Sequence, residues 1–126
     1  MIPRVLNLLP LAFLALPLRA QTRVDVSTAH ESEPIVQALR SAVLASASFV
    51  MDRDTTHVRF WIHVQPGGSM RCGQYSIKSV ALVIERTGPH LKRGNPYIVV
   101  NAYTEGNEVE LARRMLAQIE EATRVL

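Results

Sequence analysis

His57-Val58-Arg59-Phe60-Trp61-Ile62-His63-Val64-Gln65 alternates apolar and polar residues without interruption. Val58, Phe60, Ile62 and Val64 fall on one side of an extended chain, and His57, Arg59, Trp61, His63 and Gln65 fall on the other. A period of two is that of a β-strand with one buried face. Pro66, Gly67 and Gly68 stop the alternation, and Pro66 to Gly73 reads as a long hairpin loop carrying Cys72. A second strand follows from Tyr75 to Thr87; its middle, Val80 to Ile84, is apolar in both phases, as expected of a strand with neighbours on each side. Gly88, Pro89, Gly94, Asn95 and Pro96 mark a loop, and Tyr97 to Tyr103 forms a third strand.

On either side of the strands the period lengthens. Ser32, Glu33 and Pro34 supply a capping hydroxyl, an acid near the helix dipole and a first-turn proline. Ile35, Val36, Leu39, Val43 and Leu44 then define an amphipathic helix reaching toward Val50. After the third strand, Asn107 stands as N-cap with Glu110 three places on, a capping-box spacing. Val109, Ala112, Met115, Leu116, Ile119 and Leu126 form the apolar stripe of this second helix. The expected fold is α+β, in the order α-β-β-β-α. It is a two-layer sandwich, with a three-stranded antiparallel meander, one helix before it and one after, and both helices on one face. That order of elements resembles double-stranded-RNA-binding domains.

Charge and compartment exclude the RNA function that such a resemblance implies. Residues 1–20 have one charge near the start, Arg4, then an apolar run through Leu16, and Ala20 before Gln21, the pattern of a signal peptide. Pro10 and Pro17 interrupt the run, which is shorter than the roughly 20 residues a spanning helix needs. Taking Arg4 and Arg19 from the 14 basic residues leaves 12 against 11 acidic ones. A net charge of about +1 lacks the basic surface that phosphate binding requires. Residues 21–32 read as a flexible linker and 33–126 as a single domain, periplasmic or secreted, with no stable membrane insertion after cleavage. The lone Cys72 admits no internal disulfide, so packing must hold the fold.

The candidate chemistry is sparse. His57 and His63 share a face, but six residues at about 3.3 Å each place them about 20 Å apart, too far to share a zinc ion. No metal and no cofactor is expected. In a meander Cys72 and His90 lie at opposite ends of the central strand, leaving His63 as the histidine able to approach Cys72 as its base. Cys72 and His63 are accordingly the weak catalytic candidates, and the Cys72 loop a candidate contact. The stronger expectation is a binding face carrying His57, Arg59, Trp61 and His63, extended by Tyr97 and Tyr103, since Trp and Arg are enriched where proteins dock. The same open face could carry a small ligand. The uncharged third strand, placed at a sheet edge, favours self-association as a homodimer. The function expected is non-enzymatic binding of a protein partner or of a second copy.

Overall fold

Val24 and Val26, one residue apart in the stretch expected to be a linker, are both buried, and they change the topology of the sheet. The computed structural model describes residues 21–52, 58–87 and 95–126. Its elements are β1 (Thr22–Ser27), α1 (Pro34–Ala45), β2 (Phe49–Met51), β3 (Phe60–Cys72), β4 (Tyr75–Arg86), β5 (Tyr97–Thr104) and α2 (Glu108–Val125). The sheet has five strands in the order β2-β1-β3-β4-β5. β1 runs parallel to both β2 and β3, whereas β3, β4 and β5 form the antiparallel meander. The α+β class and the meander with β4 between its neighbours therefore hold, but the sheet is mixed and larger than three strands.

Two corrections follow from residues 21–52. The expected linker forms β1, pairing Val24 with Phe60 and Val26 with Ile62. The first helix stops at Ala45, and Phe49–Met51 returns as a strand beside β1, completing a β-α-β unit. Ser46 takes extended backbone angles, which ends the helical turn there. Phe49 then enters the core, whereas Val50 stays partly exposed on the opposite side, as alternation in a strand requires. Burying a valine is worth about 1.5–3 kcal/mol, and these two valines together with pairing to β2 and β3 on either side hold a short strand that composition alone describes as polar.

Both helices cover the same face. Ile35, Val36, Leu39 and Val43 of α1 and Leu111, Ala112, Met115, Ile119 and Ala122 of α2 are buried against Val24, Ile62, Val64, Val80, Leu82 and Ile84 of the sheet. The helix starts differ from the capping expected. Glu33, rather than Ser32, is the N-cap of α1, with no side-chain cap bond. Asn107 heads α2 without capping it: its side-chain amide donates to Thr104 Oγ1 at 2.7 Å, while Glu108 accepts from the Gly106 backbone.

The expected long loop from Pro66 to Gly73 is mostly strand. Pro66 still pairs with Val80, a bulge takes up Gly67 and Gly68, and pairing resumes at Ser69 with Lys78. Gly67 suits this close approach, because a Cβ there would lie 2.2 Å from Ser79 Oγ and the hydroxyl would have to turn aside. The hairpin closes through Gly73 and Gln74, with Gly73 at a φ of 61°, the left-handed geometry favoured in two-residue hairpin turns. β1 ends opposite His63, so the far part of β3 and β4 projects beyond it as a ribbon.

Candidate functional site

Alternation along the strands sorts the sheet residues between a helix-covered face and an open one. Val80, Leu82 and Ile84 face the helices, so Ile77, Ser79, Ala81, Val83 and Glu85 face outward. Register adds Trp61 beside Glu85, His63 beside Val83, and Ile98 and Val100 beside Val83 and Ala81. From β1 come Asp25 next to Trp61 and Ser27 next to His63. The bulge shifts the phase of β3 by one residue, which brings Met70 and Cys72 onto this face opposite Ile77 and Tyr75.

The open face divides into two parts. At the β1 end, His63 bridges three strands: Ser27 Oγ lies 2.9 Å from its Nδ1, and Glu85 Oε2 lies 3.6 Å from its Nε2. Trp61 meets the imidazole edge-on, with ring centroids 6.3 Å apart. Past Glu85 toward the hairpin turn, the open-face positions carry no Asp, Glu, Lys or Arg. There Ile98 and Val100 are 60% and 69% exposed, with Met70 and Tyr75 similarly bare, against 37% for Trp61. Large exposed apolar side chains are clustered on this side of the sheet, and such a cluster marks a contact surface.

Of the residues nominated from sequence, Trp61, His63 and Arg59 fall toward the open side, with Arg59 just ahead of β3 and exposed. His57 lies outside the described residues, as do His90 and the loop residues Gly88, Pro89 and Gly94. Tyr97 and Tyr103 do not extend the Trp61 face. They alternate with Ile98 and Val100, so their rings lie on the covered side, where Tyr103 is buried and Tyr97 packs against the core. Burial raises the pKa of the Tyr103 hydroxyl above its ordinary value, with the carboxylates of Glu108, Glu33 and Glu105 adding to the effect.

Cys72 and His63 are not brought together. Both lie on β3, nine residues apart, which at about 3.3 Å per residue is close to 30 Å. Cys72 is exposed at the end of the hairpin opposite Tyr75. The nitrogen atoms of His63 instead face Ser27 and Glu85, two residues the sequence reading did not connect to it. The signal was present only in the register: Ser27 reaches His63 because β1 is a strand. Among the described residues no group of His, Cys, Asp or Glu could hold a metal ion, and no helix is long and apolar enough to cross a membrane.

Fold and face define a class: a two-layer α+β domain with a five-stranded mixed sheet, helices on one side and a largely apolar surface on the other. Solved structures share this fold. One is rare lipoprotein B from Shewanella oneidensis, with a TM-score of 0.54 at 11% identity over 82% of this chain and 97% of that one. Another is the hypothetical protein CT253 from Chlamydia trachomatis, with a TM-score of 0.58 at 10% identity over 84% of this chain and 100% of that one. At such identities the likeness is one of fold. No family model and no curated sequence matches the chain.

Proposed function

We propose that the protein is an exported, non-enzymatic module of the cell envelope that binds a protein partner through the open face of its sheet. The observation that carries this reading is the uncharged band of Met70, Ile98 and Val100, which are exposed, with Ile77 and Val83, which are half-buried, on a face that no helix of the described structure covers. Burying such side chains against a partner yields about 25 cal/mol per Å² of apolar surface. Export is supported by the signal-like pattern of residues 1–20 and by the fold shared with a protein described as rare lipoprotein B. The separation of Cys72 from His63 along β3 speaks against the thiol–histidine pair suggested by the sequence.

A photo-cross-linking residue placed at Val83 or Ile98, compared in cells with one at Arg113 on the exposed side of α2, tests the surface. Cross-links to one envelope protein from the sheet positions, absent from Arg113 and lost on Val100→Glu, support the reading. Equal labelling from both surfaces, or none from the sheet, refutes it. Fractionation of cells carrying the full chain, against a chain lacking residues 1–20, tests export separately. Equal recovery of both from the cytoplasm would remove the envelope from the proposal.

A further inference from the structure

β5 ends the sheet, and the direction of its hydrogen bonds shows what that edge offers. Glu105 N donates to Ser76 O at 3.1 Å, and the register continues this pairing through Tyr103 with Lys78 and Asn101 with Val80. In an antiparallel ladder the residues that exchange bonds with one neighbour alternate with those that point away. Odd-numbered residues of β5 therefore serve β4, and the N–H and C=O groups of Ile98, Val100, Ala102 and Thr104 point outward. Among the described residues no strand pairs with that outer side. The strand has no charge, no proline and no bulge within Tyr97–Thr104, which are the usual devices that keep an edge from pairing.

We propose that this edge pairs with the β5 edge of a second copy of the chain, antiparallel about a two-fold axis at Asn101. In that register Ile98 lies opposite Thr104 of the second copy and Val100 opposite its Ala102, so all four outward positions find partners through about eight main-chain hydrogen bonds. Sliding the register by two residues toward the start of the strand brings Pro96, which has no N–H, against Thr104 and loses bonds. Large residues face smaller ones across the open side, and no like charges meet along the paired strands.

A second observation favours this chain as its own partner. Beside the edge, where β5 passes into α2, lies a hollow of about 370 Å³ lined by Ala102, Tyr103, Thr104, Asn107, Glu110 and Arg114. The pairing sets the second copy's Tyr97 opposite Glu105, on the helix side of the sheet, at the mouth of this hollow. Tyr97 packs half-buried against the core in the single chain, and turning its ring outward on pairing would set it there, beside Glu110 and Arg114. The two-fold axis makes the same contact twice.

The test uses sedimentation velocity across a concentration range, with circular dichroism as the control for folding. Val100→Pro deletes only an outward N–H and leaves the β4 ladder whole, so the variant is expected to fold and to sediment as a monomer where the wild-type protein is a dimer. Tyr97→Ala is expected to weaken the dimer at least about tenfold, the worth of one lost contact of this size. Should Val100→Pro fail to fold, a Cys72→Ser chain bearing Val100→Cys and Ala102→Cys decides: a short thiol cross-linker joins two copies if the register is right. A wild-type monomer at all concentrations, a Val100→Pro dimer, or a dimer that the paired cysteines do not cross-link would overturn the proposal.

Discussion

Asn101 is the buried polar residue of the described core, at 7% exposure, and its amide is matched to that of Gln118. Asn101 Nδ2 donates to Gln118 Oε1 at 2.8 Å, and Gln118 Nε2 returns a bond to Asn101 Oδ1 at 3.0 Å. Replacing Gln118 by alanine strips both bonds from a side chain with little access to water, at a cost of about 1–3 kcal/mol for the unsatisfied group. Alanine is the better helix former by about 0.4 kcal/mol, which leaves a net loss near 1.5 kcal/mol. Asn101→Ala leaves Gln118, which is half-exposed and can turn to solvent, so the two single variants should not cost the same. In the double variant no buried amide remains unpaired, and the coupling should be about 1–2 kcal/mol in favour of the pair. Urea unfolding followed by circular dichroism reads this directly. At a slope of about 1.5 kcal/mol per molar, Gln118→Ala moves the midpoint down by about 1 M. Additive single and double variants, with coupling below about 0.5 kcal/mol, would refute the view that this pair locks α2 onto the edge strand.

A chain beginning at Glu33, the boundary read from sequence, should fail to fold, because it loses β1 and leaves β2 and β3 without their shared neighbour; a cooperative melt equal to that of the chain from Gln21 would contradict the mixed sheet. Gly67→Ala should cost about 1 kcal/mol, as its Cβ meets the Ser79 hydroxyl, and adding Ser79→Ala should recover most of that in the same urea assay. The raised pKa of Tyr103 means that folding favours its neutral form. Its contribution is complete below about pH 10 and is lost as pH rises through the folded-state value. Thermal midpoints should therefore fall less steeply in alkali for Tyr103→Phe than for the wild-type protein, and identical slopes would refute the assignment.

What was legible in the sequence followed the strength of its periodicity. Val58 to Val64 places four apolar residues in one phase, Val80 to Ile84 runs five apolar residues together, and Val109, Ala112, Met115, Leu116 and Ile119 mark α2 over several turns. Those elements form where the spacing put them, except that β3 begins at Phe60 and runs on through the expected loop to Cys72. β1 offers only Val24 and Val26 among Arg23, Asp25 and Ser27, too few for alternation to stand out, and its stability comes from β3 lying beside it. The same distance from local pattern explains Phe49–Met51, whose apolar residues continue the run of α1 until the backbone turns at Ser46. Tyr97 and Tyr103 lie on the face opposite to the one their spacing suggests, because parity within a strand says which residues share a side, not which side the helices take. Gly67 and Gly68 read as a loop signal, yet a bulge uses the same residues within a strand.

The insertion of β1 also moves the functional emphasis across the sheet. In a three-stranded meander β3 would be an edge, and Trp61 with its histidines would form an open border. With β1 in place, Trp61 sits between Asp25 and Glu85, and both nitrogens of His63 face groups of the same chain, Ser27 at 2.9 Å and Glu85 at 3.6 Å. A partner docking there must displace or desolvate polar groups already matched to one another, which costs free energy before any contact is gained. At the opposite end Ile98 and Val100 have no such partners, and covering them releases water from apolar surface alone. The larger binding contribution therefore belongs to β4 and β5, and Val100→Glu should weaken a partner's hold more than Trp61→Ala does. The reverse order would return the contact surface to the Trp61 end.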